Sequence, residues 1–402
     1  MIPWGEAPTN GVQGDYTPAG VWGGAPHRSP YSDSPIKEAF DKAPPLPYTE
    51  HNVAIGSGFK AMIQRTACLI ARGSDPYRNQ AIEKHLMDTL PEETAILYLW
   101  HSEQTILLGR CQNPWYVCAV DRFTLSGGQV ARRLSGGGAM YADGGCVGVT
   151  LLLPKAEWDV SRQMAMLGMA VGAFGIQAQS APGCGLAAGG RRFCENAFFK
   201  GGSAAMHQSA LFCSAGLGAL SKAMDVETGK LPQTLRTPPQ ERVNLTELNP
   251  DATVDRMSEA LYWAFGRVYG SQPAMLDERM LDSVSIGRMT EGFARREWVF
   301  PPSVPYTFSV AERFPWGGVS VQLMAEGGVI RQAHIYTDAM EAALFAQIER
   351  VLVGSPFLIS AISGRFGQKL GGIASPRLNQ MTGDVCTLIC GRIRAMDRNG
   401  GK

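Results

Sequence analysis

No apolar run among the 402 residues reaches the roughly 18 to 20 uncharged positions needed to cross a bilayer, so no membrane span is expected. An excess of one charge is missing too. Lys and Arg number 37 against 36 Asp and Glu, and a net charge of +1 argues against a broad surface for nucleic acid or anionic lipid. Histidine is scarce, with six residues and no cluster, and the nine cysteines never fall in a CxxC pair, so no structural metal is expected. An odd cysteine count with no secretory signal ahead of it points to a reducing, cytoplasmic compartment, or to a mitochondrial one in a eukaryote. Cys386 and Cys390, four apart in an apolar stretch, read as buried thiols on one helix face. No internal repeat occurs at any period.

What is present changes along the chain. Residues 1 to 60 hold nine of the 25 prolines and few aliphatic residues, which predicts an extended or disordered arm. The acids Glu6, Asp15, Asp33, Glu38 and Asp41 separate it from a transit peptide. Asp75 and Pro76 then form an N-cap and first-turn pair, and Tyr77, Ala81, Ile82, His85 and Leu86 recur at helical spacing until Pro91. Ala95 to Trp100, Thr105 to Gly109, Val130 to Arg133 and Val147 to Leu153 read as strands, with helices near 157 to 173 and 253 to 269. Past residue 286, Tyr306 to Phe314, Val319 to Met324 and Val329 to Tyr336 predict an antiparallel meander turned at Gly327-Gly328, followed by helices near 339 to 353 and 383 to 396.

The strongest chemical signal is the run from Arg132 to Gly145, placed directly after a strand. Arg132 and Arg133 meet the triplet Gly136, Gly137 and Gly138, and a loop without Cβ atoms can turn successive N–H groups toward an anion that the arginines neutralise. Phosphate or carboxylate is the natural guest. No Lys-Ser or Lys-Thr follows the last glycine, which excludes a Walker loop, and the spacing is not that of a dinucleotide turn.

Gly109-Arg110-Cys111-Gln112-Asn113-Pro114-Trp115, followed by Ala131-Arg132-Arg133, the Ser135 to Tyr141 loop and Asp143, resembles the catalytic domain of lipoate-protein ligases in order and spacing. Asp75-Pro76-Tyr77-Arg78-Asn79 through Glu83 is similar to that family's first helix, and Val243 to Leu248 to a later landmark. Phe314-Pro315-Trp316-Gly317-Gly318-Val319, with Arg296-Glu297-Trp298 before it and Ile335 to Asp338 after it, resembles the C-terminal accessory domain of bacterial-type ligases. The resemblance covers roughly residues 62 to 398.

It implies an α+β chain: a class II synthetase-like (biotin/lipoyl ligase) catalytic domain of mixed sheets and helices over 61 to 285, and a smaller α+β accessory domain over 286 to 402. It also implies activation of lipoate with ATP, usually with Mg²⁺, and transfer to a lysine of lipoyl domains in 2-oxoacid dehydrogenase complexes or of the glycine cleavage H protein, by a monomer. Nucleotide and substrate positions carried over are Arg133, Ser135, Gly136, Gly137, Gly138, Ala139, Met140, Tyr141, Asp143 and His207. Trp100, Leu107 and Val149 are candidates for the apolar slot, with core packing an equal explanation.

The second signature departs. Its lysine is replaced by Arg192, its acidic residue by Gly185 and the asparagine ending the first loop by Cys146. Arg192 keeps the charge without the compactness of an ammonium, and Lys200 is a second candidate cation. Two alternatives remain open: acyl transfer from a carrier through Cys184, as in related octanoyltransferases, and an adenylate binder without turnover.

Overall fold

The computed structural model describes residues 63–183, 185–226, 240–301, 305–373 and 375–399. The proline-rich head and Cys184 lie outside the described residues.

The first unit is built on an eight-stranded mixed sheet. Its strands are β1 (Arg65–Ile70), β2 (Thr94–Trp100), β6 (Cys146–Pro154), β7 (Gln179–Ala181), β8 (Gly185–Ala188), β9 (Arg191–Gly201), β10 (Ala204–Phe212) and β11 (Ala274–Leu276), in the spatial order β11-β1-β2-β6-β10-β9-β8-β7. β1 runs parallel to both neighbours, and the rest of the sheet is antiparallel. A small sheet, β4-β3-β5, joins β3 (Thr105–Leu108), β4 (Gln129–Arg132) and β5 (Met140–Ala142).

All seven residues of β2 and eight of nine in β6 are buried, because helices cover both faces of the large sheet. On one face, helices Val160–Gly172 and Val254–Tyr269 bring Met166, Leu167, Leu261 and Phe265 onto Val149 and Leu151. On the other, helix Pro76–Asp88 and the small sheet bring Ile82, Leu86, Ile106 and Met140 onto Tyr98 and Leu152. Helix Pro76–Asp88 begins as its sequence dictates: the Asp75 side chain accepts from Tyr77 N at 2.9 Å, and Pro76 occupies the first turn. Helix Ser283–Ala294 packs on it, so Ile286 and Phe293 belong to this core.

The second unit is a meander, β12 (Phe308–Phe314), β13 (Gly317–Glu326) and β14 (Val329–Thr337), covered by helices Ala342–Leu352, Ile359–Leu370 and Pro376–Asn399. The middle helix has no counterpart among the expected elements: Gly364 and Gly367 interrupt its pattern, while Ile362, Phe366 and Leu370 on one face hold it to the core. Cys390 is buried on the last helix and Cys386 half-buried, and burial pushes the Cys386 thiol up to about 12. Among the described residues no helix is long and apolar enough to cross a membrane.

A polar cluster of the first unit backs its seam with the second. Arg132, 1% exposed, donates to the carbonyl oxygens of Gly109 (2.9 Å), Arg110 (3.0 Å), Gln112 (2.8 Å), Trp298 (3.1 Å) and Val299 (3.0 Å). Trp298 Nε1 returns a bond to Arg132 O, and Arg110 stacks over the Trp298 ring at 4.1 Å. From the second unit, Thr337 N reaches Cys111 O and the Tyr336 ring meets Tyr116. Replacing Arg132 with Met keeps bulk but strands several buried carbonyls, each costing about 1–3 kcal/mol. Arg132→Met should therefore lower the unfolding free energy by at least about 3 kcal/mol in urea denaturation. A loss below about 1 kcal/mol would contradict this role for Arg132.

Candidate active site

Arg133 directly follows β4, where the alternation of the strand's end turns it away from Arg132 and into the glycine loop. Its guanidinium is fully buried and donates to Ser135 Oγ (3.0 Å), Gly136 O (3.1 Å), Gly138 O (2.8 Å) and the carbonyl of Leu107. Burial pulls its pKa down to about 9, and the carboxylates of Glu83 and Glu195 oppose that pull. It remains a cation at neutral pH, so its donors shape the loop before any ligand arrives.

From this guanidinium a buried polar chain runs to the first helix. Ser135 Oγ donates to Gln208 Oε1 (2.5 Å), and Gln208 Nε2 donates to Glu83 Oε2 (2.6 Å). Thr150 Oγ1 donates to Glu83 Oε1 and accepts from Trp100 Nε1 (3.0 Å). Burial pushes the Glu83 carboxyl up to about 7, although the Thr150 and Gln208 hydrogen bonds and the Arg133 charge favour its ionised form. Glu83 and Gln208 were not among the expected site residues. The available signal was three polar residues, Asn79, Gln80 and Glu83, on the buried side of an amphipathic helix.

The loop itself is held between the units. Gly137 has φ 89°, a left-handed conformation suited to glycine, and its N–H donates to Ala339 O of the second unit at 2.8 Å. A Cβ on Gly136 would lie 2.4 Å from Met340 O, so only glycine allows this approach. Gly138 is the exposed member of the triplet. Ala139 is half-buried, and Met140 and Tyr141 pair with β3 as part of β5. Asp143 accepts from Gly145 N (2.9 Å), Gly216 N (2.8 Å), Tyr141 Oη (3.0 Å) and Cys146 Sγ (3.4 Å), which makes it a brace at the loop's far end.

Arg132, Arg133, Arg191 and Arg192 do not form one cationic patch. Arg132 belongs to the cluster behind the seam, and half-exposed Arg191 pairs with Glu247 at 3.6 Å. Arg192 NH1 donates to Glu195 Oε2 (3.2 Å) and NH2 to the Pro182 carbonyl, while Arg242 grips Glu195 Oε1 with two bonds of 3.1 and 3.0 Å. A Cβ on Gly185 would lie 2.8 Å from Arg192 Cζ. Gly185 therefore leaves the space that the Arg192 guanidinium occupies.

His207 sits apart from Arg133. Successive strand residues face opposite ways, so Gln208 points to Glu83 while His207 packs on the Phe198 ring at 4.6 Å with Nε2 beside Asn196 Oδ1 at 2.9 Å. Burial pushes its imidazole down to about 3, so it is neutral at physiological pH. Exposed Lys200 lies 5.1 Å from the Trp158 ring centroid, at the end of β9. Of the three slot candidates, Trp100 and Leu107 line a cavity of about 10 Å³ beside Glu83 and Gln208, and Val149 belongs to the core behind the sheet.

Between its ordinary value of 4.5 and its folded value of about 7, Glu83 keeps a proton that the unfolded chain has lost. Its contribution to stability is present below pH 4.5 and is lost as pH rises through 7. Glu83→Gln, uncharged throughout, should flatten this decline. Urea unfolding across this range checks it, and parallel stability curves for the two proteins would refute it.

Two family models match the chain: the lipoyl protein ligase A/B catalytic domain over residues 75–266, and the bacterial lipoate protein ligase C-terminus over residues 303–369. Together these spans take in more than half of the sequence. Among solved structures, P. falciparum LipL1 in complex with lipoate superposes with a TM-score of 0.71 at 19% identity, covering 80% of this chain and 99% of that one. A bipartite lipoate protein ligase from Thermoplasma acidophilum, solved with its E2 lipoyl domain, gives a TM-score of 0.51 at 16% identity, covering 61% and 99%. At such identities the likeness speaks for the mixed α+β fold and its smaller C-terminal unit. With the catalytic and the C-terminal model both matched in order, the chain belongs to the lipoate-protein ligase family.

Proposed function

We propose that this protein joins lipoate to the lysine of a lipoyl domain, activating the acid with ATP as lipoyl-adenylate. The observation that carries the reading is the buried Arg133, which shapes a glycine loop and continues through Ser135 and Gln208 into the protein interior. In the first step a carboxylate oxygen attacks the α-phosphorus and the bond to pyrophosphate breaks. In the second, the neutral lysine amine attacks the acyl carbon, AMP leaves and the nitrogen loses a proton. Both steps concentrate negative charge, which a buried guanidinium and aimed N–H groups stabilise.

The Ala339 carbonyl now holds the Gly137 N–H. A phosphate oxygen would make a stronger, charge-assisted bond there, once residues 339 and 340 move off the loop. Among the described residues no three His, Cys, Asp or Glu side chains converge to hold a metal ion, so no step is routed through a protein-bound Mg²⁺. The neighbours solved with lipoate and with an E2 lipoyl domain support this choice of acid and acceptor.

One observation favours a second reading. Arg192, at the signature lysine's position, is closed in by Glu195 and the Pro182 carbonyl, which suits transfer from a preformed acyl donor. Cys184, the thiol considered for a covalent route, lies outside the described residues. Incubating an apo lipoyl domain with the protein separates the readings by mass. Lipoate with ATP and Mg²⁺ should add one lipoyl group, and Arg133→Met should slow this by about 10²-fold or more. A mass change with lipoyl-adenylate alone would replace the ligase by the transferase, and no change with either donor would remove both.

A further inference from the structure

A larger cavity, of about 480 Å³, opens between the two units. That volume lies within the range of roughly 300–1,000 Å³ typical of small-molecule sites. The first unit supplies the end of helix Pro76–Asp88, the turn from β9 to β10, Arg110 and Leu134; the second supplies β14 and helix Ala342–Leu352. Four cations line it, Lys84, Arg110, Lys200 and Arg350, against two carboxylates, Asp88 and Glu349. Both carboxylates are engaged. Asp88 accepts from Lys84, while Glu349 accepts from Ile335 N at 2.7 Å and faces His334 Nδ1 at 3.3 Å. The half-buried Arg110 guanidinium lies over the Trp298 ring, and none of its nitrogens meets an acceptor among the described residues. Lys200 and Arg350 likewise have no carboxylate partner among the described residues.

We propose that this cavity binds an organic phosphate monoester, a dianion with a compact apolar body, and that the bound molecule bridges the two units. With His334 neutral, four cations against two carboxylates leave the lining two positive charges in excess, which a dianion balances and a monocarboxylate does not. A guanidinium with open donors pairs with two phosphate oxygens in parallel, charge-assisted bonds. Met87, Leu134, Phe199, Ala342 and Ala346 make the rest of the wall apolar, and inorganic phosphate would leave that surface unused. Residues 339 and 340, which press on the glycine loop, lie between β14 and helix Ala342–Leu352, the two elements on the second unit's side of the cavity. An occupant joining Arg110 to Arg350 therefore holds Ala339 O on the Gly137 N–H and opposes the movement that would free it. The site stands apart from the acyl chemistry proposed above and would control access to it.

Calorimetric titration of the full chain with phenyl phosphate, slightly above neutral pH, tests this, with inorganic phosphate and benzoate as comparators. Phenyl phosphate should bind at least about tenfold more tightly than either, and Arg110→Gln and Arg350→Glu should each weaken it by about fivefold or more. Arg350→Glu, at an exposed position, serves where Arg110→Gln fails to fold by its melting curve. At about a hundred times its dissociation constant, phenyl phosphate should also slow amide exchange at Gly137 by about a hundredfold, as a ligand bound only to the joined units requires. No binding, equal binding of either comparator, or an affinity unchanged in both variants overturns the site. Binding that leaves Gly137 exchange unchanged overturns the bridge.

Discussion

Two adjacent guanidiniums are buried where β4 ends, and they depend on opposite sets of carbonyl oxygens. Because neighbouring residues at the strand's end face opposite ways, Arg132 goes to the carbonyls behind the seam and Arg133 to the glycine loop. A buried cation is costly unless its donors are satisfied, so each arginine stays where the surrounding backbone presents carbonyls to it. The converse also holds, since those carbonyls lack water and need the arginines. Loop shape, seam and interior polar chain are thereby fixed together, and the Gly137 bond to Ala339 O ties the second unit into the same assembly.

The departed signature follows the same logic. There a planar guanidinium lies over a glycine, with Glu195 shared between Arg192 and Arg242. A Cβ at position 185 would lie 2.8 Å from Arg192 Cζ, so a side chain there would require the guanidinium to shift. The three groups still sum to one positive charge, which Glu195 holds in fixed geometry.

Much of this was legible in the residues. The caps of helix Pro76–Asp88, the two-residue alternation of the meander and the glycine loop after a strand each have local causes that a sequence displays. Glu83, Gln80 and Gln208 were not, because apolar periodicity locates a buried face and says little about polar residues on it. His207 against Gln208 turned on strand phase, where one residue exchanges the faces. The seam depends on contacts between residues some 200 positions apart, such as Gly137 with Ala339, and no local pattern encodes them.

The claim on which the rest stands is that the glycine loop is a clamped element in the free protein. Amide hydrogen exchange at residues 136–138 tests it most directly. The Gly137 N–H, bonded to Ala339 O, should exchange only with separation of the two units or global unfolding, while exposed Gly138 exchanges at close to its unprotected rate. Equal and rapid exchange at both glycines would contradict the clamp.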